Sequence, residues 1–254
     1  MIGEQARSKG TRYWDLAGEQ GYAQAMYRSS DVESHVRGRL WRIAIEIAEI
    51  LNIPPDAQVL EVGCGAFANQ VLTSYYRQVI GIDISEKAVR RAQLEARENT
   101  TFEAIDLISF DYSLLPEFEA AFLIGILHHA KYATPNILKA LVKKTSKMIV
   151  LEPNGNHLLR KLLEFTPSYR AAGEHSFRRR ELLALYEAAG WQVVTAKRLN
   201  LFPNFTPGPA YRSLAPIKSK IERSRFWSLL CTVDLYGLKA RAARLLPCWL
   251  RISA

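Results

Sequence analysis

An apolar run that leads directly into two closely spaced glycines constrains the fold of this chain more than any other feature. Val59-Leu60-Glu61-Val62 has the composition of a buried strand, and Gly63 and Gly65 permit a tight turn after it. Asp83 then ends a second apolar run, Val79-Ile80-Gly81-Ile82. A carboxylate at that point can accept hydrogen bonds from both hydroxyls of a ribose. The pattern predicts a site for a cofactor that contains a nucleoside.

Strand and helix patterns alternate along the middle of the chain. Strands are predicted at 57–62, 78–82, 101–104, 119–125 and 147–151. Helices are predicted at 67–76, 85–98 and 135–146, and we expect Ser85 and Thr134 to cap the second and third. Because short connections between parallel strands require right-handed crossovers, this alternation predicts an α/β fold with helices on both faces of a mostly parallel sheet.

The later part of the chain carries two more strand patterns. A helix at 177–189, with Ser176 as its expected cap, precedes a sixth strand at 191–196. A seventh apolar run lies near Cys231–Leu238. Strands six and seven are expected to form an edge pair.

Four segments follow from these patterns. Residues 1–30 are polar and aromatic and predict an N-terminal arm, which ends at the capping box Ser30-Asp31-Val32-Glu33. The core spans 31–200, and the proline-bearing stretch 201–228 predicts a lid inserted between strands six and seven. Residues 229–254 hold the last strand and a basic C-terminal tail.

The glycine loop and the acids after the second and third strands resemble a known cofactor site. Glu61-Val62-Gly63-Cys64-Gly65, Asp83 and Asp106 are similar to the corresponding motifs of class I S-adenosylmethionine-dependent methyltransferases. The resemblance covers roughly residues 31–200 and extends weakly to the last strand. It implies a Rossmann-like, seven-stranded, mostly parallel sheet with an antiparallel last strand, and S-adenosylmethionine as the cofactor.

The resemblance also implies a role for single residues. Glu61 would orient the methionine ammonium group, and the glycines would let the chain pass close beneath the cofactor. Asp83 would hold the ribose hydroxyls, and Asp106 would accept the adenine amino group. The cofactor contacts that it implies are Glu61, Gly63, Cys64, Gly65, Asp83, Ile84, Asp106, Leu107 and Gly125.

One position departs from the family pattern and helps to weigh a competing class. A third glycine is common two positions after Gly65, where this chain has Phe67. Dinucleotide-dependent dehydrogenases carry a further glycine in this turn so that the helix can pack closely beneath a pyrophosphate. Because S-adenosylmethionine has no phosphate, Phe67 favours methyl transfer over hydride transfer, although it leaves the local shape of the loop open.

Two histidines follow the fourth strand, at the sheet edge where such folds bind their ligands. His128 and His129 lie in the sequence Leu127-His128-His129, which looks like that of small-molecule methyltransferases. A histidine near neutral pKa can take up the proton of an acceptor hydroxyl. We expect His129 to be the base, with His128 as the second candidate; the alternative is that one of them only caps the strand or packs under the cofactor.

Other residues near this edge leave two interpretations open. Glu152 and Asn154 follow the fifth strand and either line the acceptor pocket or form an ordinary Pro-Asn-Gly turn. Tyr13, Trp14 and Tyr22 either cover the cofactor or pack with one another. His175 either faces the site from a loop or lies on the surface.

Composition limits the setting in which the chain works. Hydrophobic residues make up 48% and charged residues 23%, as in ordinary soluble globular proteins. No signal-peptide pattern opens the chain, and its three cysteines, Cys64, Cys231 and Cys248, show no metal-ligand spacing. We therefore expect a cytoplasmic protein with reduced thiols and no bound metal.

Charge is distributed unevenly and suggests an anionic partner. Residues 1–156 hold 17 Lys/Arg against 19 Asp/Glu, whereas residues 157–254 hold 17 against 6. An excess of this kind fits nucleic acid, an acidic membrane surface or a phosphorylated substrate, or it is simply a solvated basic face. The basic and apolar tail at 239–246 fits either a membrane surface or a docked helix.

Three functions remain open from the sequence. The first is methylation of a small molecule, for example a hydroxyl on an amphipathic, isoprenoid or glycosylated acceptor. The second is RNA methylation through the basic C-terminal third, although the fourth strand lacks the Asn/Asp-Pro-Pro-aromatic sequence that base-amine methylation uses. The third is a non-catalytic protein that only binds the cofactor.

Overall fold

A seven-stranded sheet organises the part of the chain that the computed structural model describes, namely residues 15, 30–65, 70–166, 176–199, 206–224 and 230–241. Its strands are β1 Gln58–Val62, β2 Gln78–Asp83, β3 Thr100–Ala104, β4 Ala120–Ile124, β5 Lys147–Pro153, β6 Trp191–Leu199 and β7 Val233–Ala240. The spatial order is β3-β2-β1-β4-β5-β7-β6. Strands β1 to β5 are parallel, and β7 runs antiparallel between β5 and β6. The predicted fold class and the predicted pairing of the last two strands are confirmed.

The described residues form seven α-helices around these strands. They are α1 Ser30–Ile50, α2 Gln70–Tyr75, α3 Glu86–Leu94, α4 Thr134–Leu141, α5 Leu158–Leu163, α6 Arg179–Ala188 and α7 Gly208–Arg223. Short 3₁₀ turns lie at Tyr112–Leu114 and Leu127–His129. Of these helices, none is long and apolar enough to cross a membrane.

Successive side chains of each strand point to opposite faces of the sheet. Because the side chains on both faces are apolar, helices cover both faces. On one face, Ile47 and Leu51 of α1 pack in a buried cluster with β1, β4 and β7. On the other face, α4 and α6 pack against the same strands, and the indole of Trp191 donates to the Leu138 carbonyl at 3.0 Å. The central strands of the sheet therefore lie between two buried layers.

Helix ends agree with the sequence at one place and differ at two. Ser85 caps α3, since its hydroxyl accepts from the Ala88 amide at 3.2 Å. The expected caps Thr134 and Ser176 were wrong: Ala133 and Arg178 occupy the cap positions of α4 and α6. Both hydroxyls instead make longer-range contacts near the site, which the spacing of residues along the chain does not reveal.

The described part of the predicted lid is α7, which packs on α1. Val36 and Tyr211 form a buried contact between the two helices. Beside it, the Arg39 guanidinium donates to both oxygens of the Glu222 carboxylate, one of them at 2.8 Å. The Glu222 side chain is only 5% exposed. Whether this helix moves as a lid stays a prediction.

Removing the guanidinium of Arg39 is expected to destabilise the α1–α7 contact strongly. Arg39→Met removes the guanidinium that donates to both oxygens of the buried Glu222 carboxylate, and the free energy of unfolding should fall by about 3 kcal/mol. Urea denaturation measures this loss. Arg42→Met, at an exposed position of α1, serves as the control and should change stability by less than about 0.5 kcal/mol. If the double variant Arg39→Met/Glu222→Met is no more stable than Arg39→Met, the ion pair does not explain the loss.

Candidate active site

The loop after β1 adopts a backbone that favours glycine. Gly63 and Gly65 have φ of +76° and +63°, in the left-handed region. A Cβ on Gly63 would lie 1.9 Å from Cδ1 of Ile126, whereas a Cβ on Gly65 would meet no heavy atom of the described residues within 4 Å. None of those residues fills the space over Gly65, whereas Gly63 is closed by the loop after β4.

Asp83 ties this glycine loop to the end of β2. Its Oδ2 accepts from the Gly65 amide and its Oδ1 from the Ser85 amide, each at 2.9 Å. Burial raises the pKa of Asp83, and these backbone donors act against that rise. Each carboxylate oxygen keeps a second lone pair for a further donor. The role of Asp83 in holding the ribose hydroxyls stays a prediction.

Three further residues of the predicted cofactor set lie around the same loop. Glu61 is 4% exposed in β1, and Cys64 is buried against Val89 and Phe102. Burial raises the pKa of the Cys64 thiol far above its usual range, so this cysteine is not a nucleophile at neutral pH. Ile84 is partly exposed directly after Asp83.

Asp106 lies at the same sheet edge, next to Asp83. The Ile105 amide donates to the Asp83 carbonyl at 2.7 Å, so the chain leaving β3 runs beside the end of β2. The Asp106 carboxylate accepts from the Ile108 amide at 2.9 Å and from the Ser109 hydroxyl at 3.1 Å. Leu107 packs partly buried against the core. These contacts hold the turn in which an adenine acceptor is expected.

Asp15, from the predicted N-terminal arm, lies beside this edge. The Ser85 hydroxyl donates to Oδ1 of Asp15 at 2.6 Å, and the charge of Asp15 contributes to the raised pKa of Asp83. This contact was not expected from the sequence, because a single acid in an aperiodic segment has no pattern that could reveal it. Tyr13, Trp14 and Tyr22 lie outside the described residues.

The loop after β4 brings the predicted catalytic residues next to the glycine loop. Gly125 turns the chain with φ of +73°, and its amide donates to the Leu151 carbonyl at 2.8 Å. Ile126 packs over Gly63, and His128 and His129 follow with their ring centroids 3.9 Å apart. His128 is buried, whereas His129 is partly exposed.

A buried carboxylate at the end of β5 holds this loop. Glu152 is fully buried, and its Oε1 accepts from the amides of Ile126 and Leu127 at 3.1 and 2.8 Å. Its Oε2 accepts from the His128 amide at 3.2 Å and lies 2.9 Å from Nδ1 of the His128 ring. The Thr134 hydroxyl donates to the Leu127 and Ala130 carbonyls at 3.2 and 3.0 Å.

Burial controls the charges in this cluster. It lowers the pKa of His128 and of His129 well below the usual range, so both imidazoles are uncharged at neutral pH. It raises the pKa of Glu152 to about 8, although the backbone donors and the Arg160 charge lower it. Arg160 is on α5, and its Nε donates to the Ser176 hydroxyl at 2.7 Å.

Asn154 has turn geometry, in agreement with one of the two interpretations of its sequence. Its Nδ2 donates to the Cys231 carbonyl at 2.9 Å, and its Oδ1 accepts from the Asn156 amide at 3.0 Å. At Gly155 a Cβ would lie 2.1 Å from the Phe177 carbonyl oxygen, so the next chain segment passes directly against this turn.

Sequence reasoning noted Glu152 but did not pair it with His128, and it overlooked Arg160 and the Thr134 contacts. The acid directly before Pro153, in an otherwise apolar strand, could have indicated such a contact, because a buried carboxylate requires hydrogen-bond partners. Phe67 and His175 lie outside the described residues. Within the described ranges, no group of three or more His, Cys, Asp or Glu side chains is placed to hold a metal ion.

Comparison with known protein families identifies the family of this chain. A family model described as "Methyltransferase domain" matches residues 32–196. The chain belongs to this methyltransferase family. The predicted family and its cofactor, S-adenosylmethionine, are thereby confirmed. No curated protein matches the sequence significantly.

Solved structures share the fold of this methyltransferase at low sequence identity. Magnesium protoporphyrin IX methyltransferase from Synechocystis PCC 6803 has a TM-score of 0.58 and 15% identity, covering 93% of this chain and 97% of its own. The [4+2]-cyclase SpnF has a TM-score of 0.63 and 15% identity, with 94% and 97% covered. The N-methyltransferase NodS from Bradyrhizobium japonicum WM9 has a TM-score of 0.54 and 13% identity, with 81% and 97% covered.

Loss of the Asp83 charge is expected to weaken cofactor binding by this methyltransferase. Asp83→Asn keeps the side-chain size but removes a charged acceptor, which should raise the Kd for S-adenosylmethionine about 10- to 100-fold. Isothermal titration calorimetry measures this change. Glu103→Gln, at an exposed position of β3, is the matched control and should leave the Kd unchanged. An unchanged Kd in Asp83→Asn would remove Asp83 from the cofactor site.

Proposed function

We propose that this methyltransferase transfers a methyl group to a hydroxyl of a small-molecule acceptor, amphipathic or glycosylated in character. The observation that carries the proposal is the pair of uncharged histidines beside the glycine loop. Ile126 joins the two, since it packs over Gly63 and directly precedes the histidine turn. A neutral imidazole at this position suits the removal of a hydroxyl proton.

The residues around the glycine loop fit S-adenosylmethionine. The space over Gly65 lies beside the Asp83 carboxylate, which suits the ribose, and Asp106 lies at the neighbouring strand end, which suits the adenine. Glu61, buried in β1, suits the methionine ammonium group. When bound, the cofactor supplies an electrophilic methyl group, and the protein has to align the acceptor and receive its proton.

RNA methylation is the second candidate function. Residues 157–254 hold 17 Lys/Arg against 6 Asp/Glu, and this positive excess suits an RNA backbone. However, the chain after the fourth strand, Gly125-Ile126-Leu127-His128, lacks the Asn/Asp-Pro-Pro-aromatic sequence that base-amine methylation uses. RNA therefore remains the second candidate partner. Methyl incorporation into RNA would reverse this order.

A non-catalytic or differently reacting protein is the third candidate. A structural neighbour named as a [4+2]-cyclase has this fold, so the fold alone does not establish methyl transfer. Tight cofactor binding without turnover of any acceptor would support this candidate. A cytoplasmic location also stays a prediction, with which the buried free thiols of Cys64 and Cys231 agree.

An exposed apolar row next to the site suits an acceptor that resides in an anionic membrane. Leu158, Leu162 and Phe165 are 74%, 59% and 73% exposed and recur at helical spacing on and just after α5. This helix follows β5, which carries Glu152. The positive charge of residues 157–254 complements an acidic lipid surface, so we propose that this row contacts such a membrane.

Incubation of the protein and S-adenosylmethionine with a library of small-molecule acceptors tests the proposed reaction. Wild-type protein should form S-adenosylhomocysteine with a hydroxyl acceptor, and His128→Asn/His129→Asn should lower kcat about 100-fold while leaving cofactor binding intact. The matched control His157→Asn changes the histidine directly before α5 and should retain most of the activity. Full turnover by the double histidine variant would exclude both residues as the base.

Sedimentation with liposomes tests the membrane contact. Wild-type protein should co-sediment with vesicles of mixed phosphatidylserine and phosphatidylcholine at low salt, and Leu158→Ser/Leu162→Ser/Phe165→Ser should abolish most of that binding. Leu94→Ser, which alters an 87% exposed leucine of α3, is the control. Equal sedimentation of wild type and triple variant would rule out this row as the contact.

A further inference from the structure

We infer that Glu152 is a positioning residue that holds His128 with its proton on Nδ1, so that Nε2 is the atom that receives the acceptor proton. This inference rests on the proposed function and deepens it, because it selects one histidine of the pair. It departs from the sequence expectation, which favoured His129. The geometry that supports it is the convergence of four nitrogen atoms on one buried carboxylate.

Three of those nitrogens are backbone amides and can only donate. The amides of Ile126, Leu127 and His128 all point at the carboxylate of Glu152, at 2.8 to 3.2 Å. A carboxylate that accepts several backbone N–H groups is stabilised in its ionised form. The fourth nitrogen, Nδ1 of His128, lies 2.9 Å from Oε2, and beside an ionised carboxylate it must carry the hydrogen.

The tautomer follows from this contact. With the hydrogen on Nδ1, the neutral ring keeps its lone pair on Nε2 and can act as a base there. If Glu152 were protonated, its hydroxyl would donate to Nδ1 and the ring hydrogen would move to Nε2, which could then only donate. The Glu152 carboxylate makes this contact with the His128 ring, whose centroid lies 3.9 Å from that of His129.

Charged and titratable groups from each neighbouring element act on this pair. Arg160 of α5 favours the ionised carboxylate and disfavours a charged imidazole at both histidines. Tyr186 of α6 and Tyr236 of β7 also face Glu152, and burial raises the pKa of each phenol, so both remain neutral. Burial lowers the pKa of His129, as it does that of His128, so His129 is also uncharged.

The proton balance of the transfer is then complete. The bond from the acceptor oxygen to the methyl carbon forms as the carbon–sulfur bond breaks, which yields S-adenosylhomocysteine. The acceptor proton passes to Nε2 of His128, and the resulting imidazolium is stabilised by the Glu152 carboxylate. Release of that proton to solvent restores the starting state.

This assignment predicts a pH dependence with a definite sign. His128 can take the acceptor proton on Nε2 only after the Glu152–His128 pair has lost the proton that it holds at lower pH. Burial favours that protonated state and raises the pKa of Glu152 to about 8. We therefore expect kcat to rise as pH increases through about 8 and then to level off. Because the two groups titrate together, this inflection belongs to the pair.

Nitrogen-15 NMR of wild-type protein labelled at its histidines tests the tautomer directly. Above pH 8 the His128 ring should carry its hydrogen on Nδ1, with Nε2 unprotonated, and the signal is assigned by its loss in His128→Asn. A ring that carries its hydrogen on Nε2 above pH 8 would overturn the inference. This readout requires no acceptor and no variant of Glu152.

Kinetics of variants tests the effect on catalysis, with the acceptor that the library screen identifies. Glu152→Gln should lower kcat about 100-fold and abolish the inflection near pH 8, with little change in KM. Glu152→Asp, which restores the charge, should recover part of the rate and the inflection. Glu164→Gln, a carboxylate of the same region that also interacts with Arg160, should keep the wild-type profile.

Separate outcomes distinguish this inference from the proposed function. If wild-type protein methylates no acceptor, the proposed function fails, whereas the NMR result still decides whether Glu152 sets the tautomer. If wild-type protein is active but Glu152→Gln folds and keeps the wild-type rate and profile, the inference fails alone. Should Glu152→Gln not fold, the NMR tautomer and the wild-type pH profile remain decisive.

Discussion

The contact between the Glu152 carboxylate and the loop after β4 is the interaction on which the arrangement of the candidate site depends. A fully buried carboxylate is costly unless donors surround it, and the loop supplies three backbone amides and one imidazole nitrogen. In accepting them, Glu152 sets the direction of the whole turn. Ile126 is thereby placed over Gly63, and His128 beside the same loop, so one side chain of β5 links the donor site to the proposed base.

The parallel sheet explains why residues so distant in sequence meet at one place. The ends of β1, β2, β3 and β4 lie side by side, which gathers the glycine loop, Asp83, Asp106 and the histidine turn along one edge. Antiparallel β7 then packs against β5 and completes the buried layers behind that edge. The proposed cofactor contacts thus all lie at strand ends, along one edge of the sheet.

Much of this architecture could be predicted because its signals are local. The five parallel strands, the turn at Gly63 and Gly65, and the Ser85 cap follow from patterns of a few neighbouring residues. Thr134 and Ser176 misled the prediction for the opposite reason. Their hydroxyls satisfy partners outside their own helices, at Leu127 and Arg160, and such partners leave no trace in local spacing.

The sequence by itself determined the fold class and the cofactor family, because a glycine turn after a buried strand and an acid after the next strand constrain the backbone over short distances. Only the tertiary structure decided how the two histidines differ. Side by side in the sequence they look equivalent, yet burial and the carboxylate of Glu152, 24 positions beyond His128, distinguish one ring from the other. Such a difference arises from packing across strands, where desolvation and hydrogen bonding act through space and not along the chain.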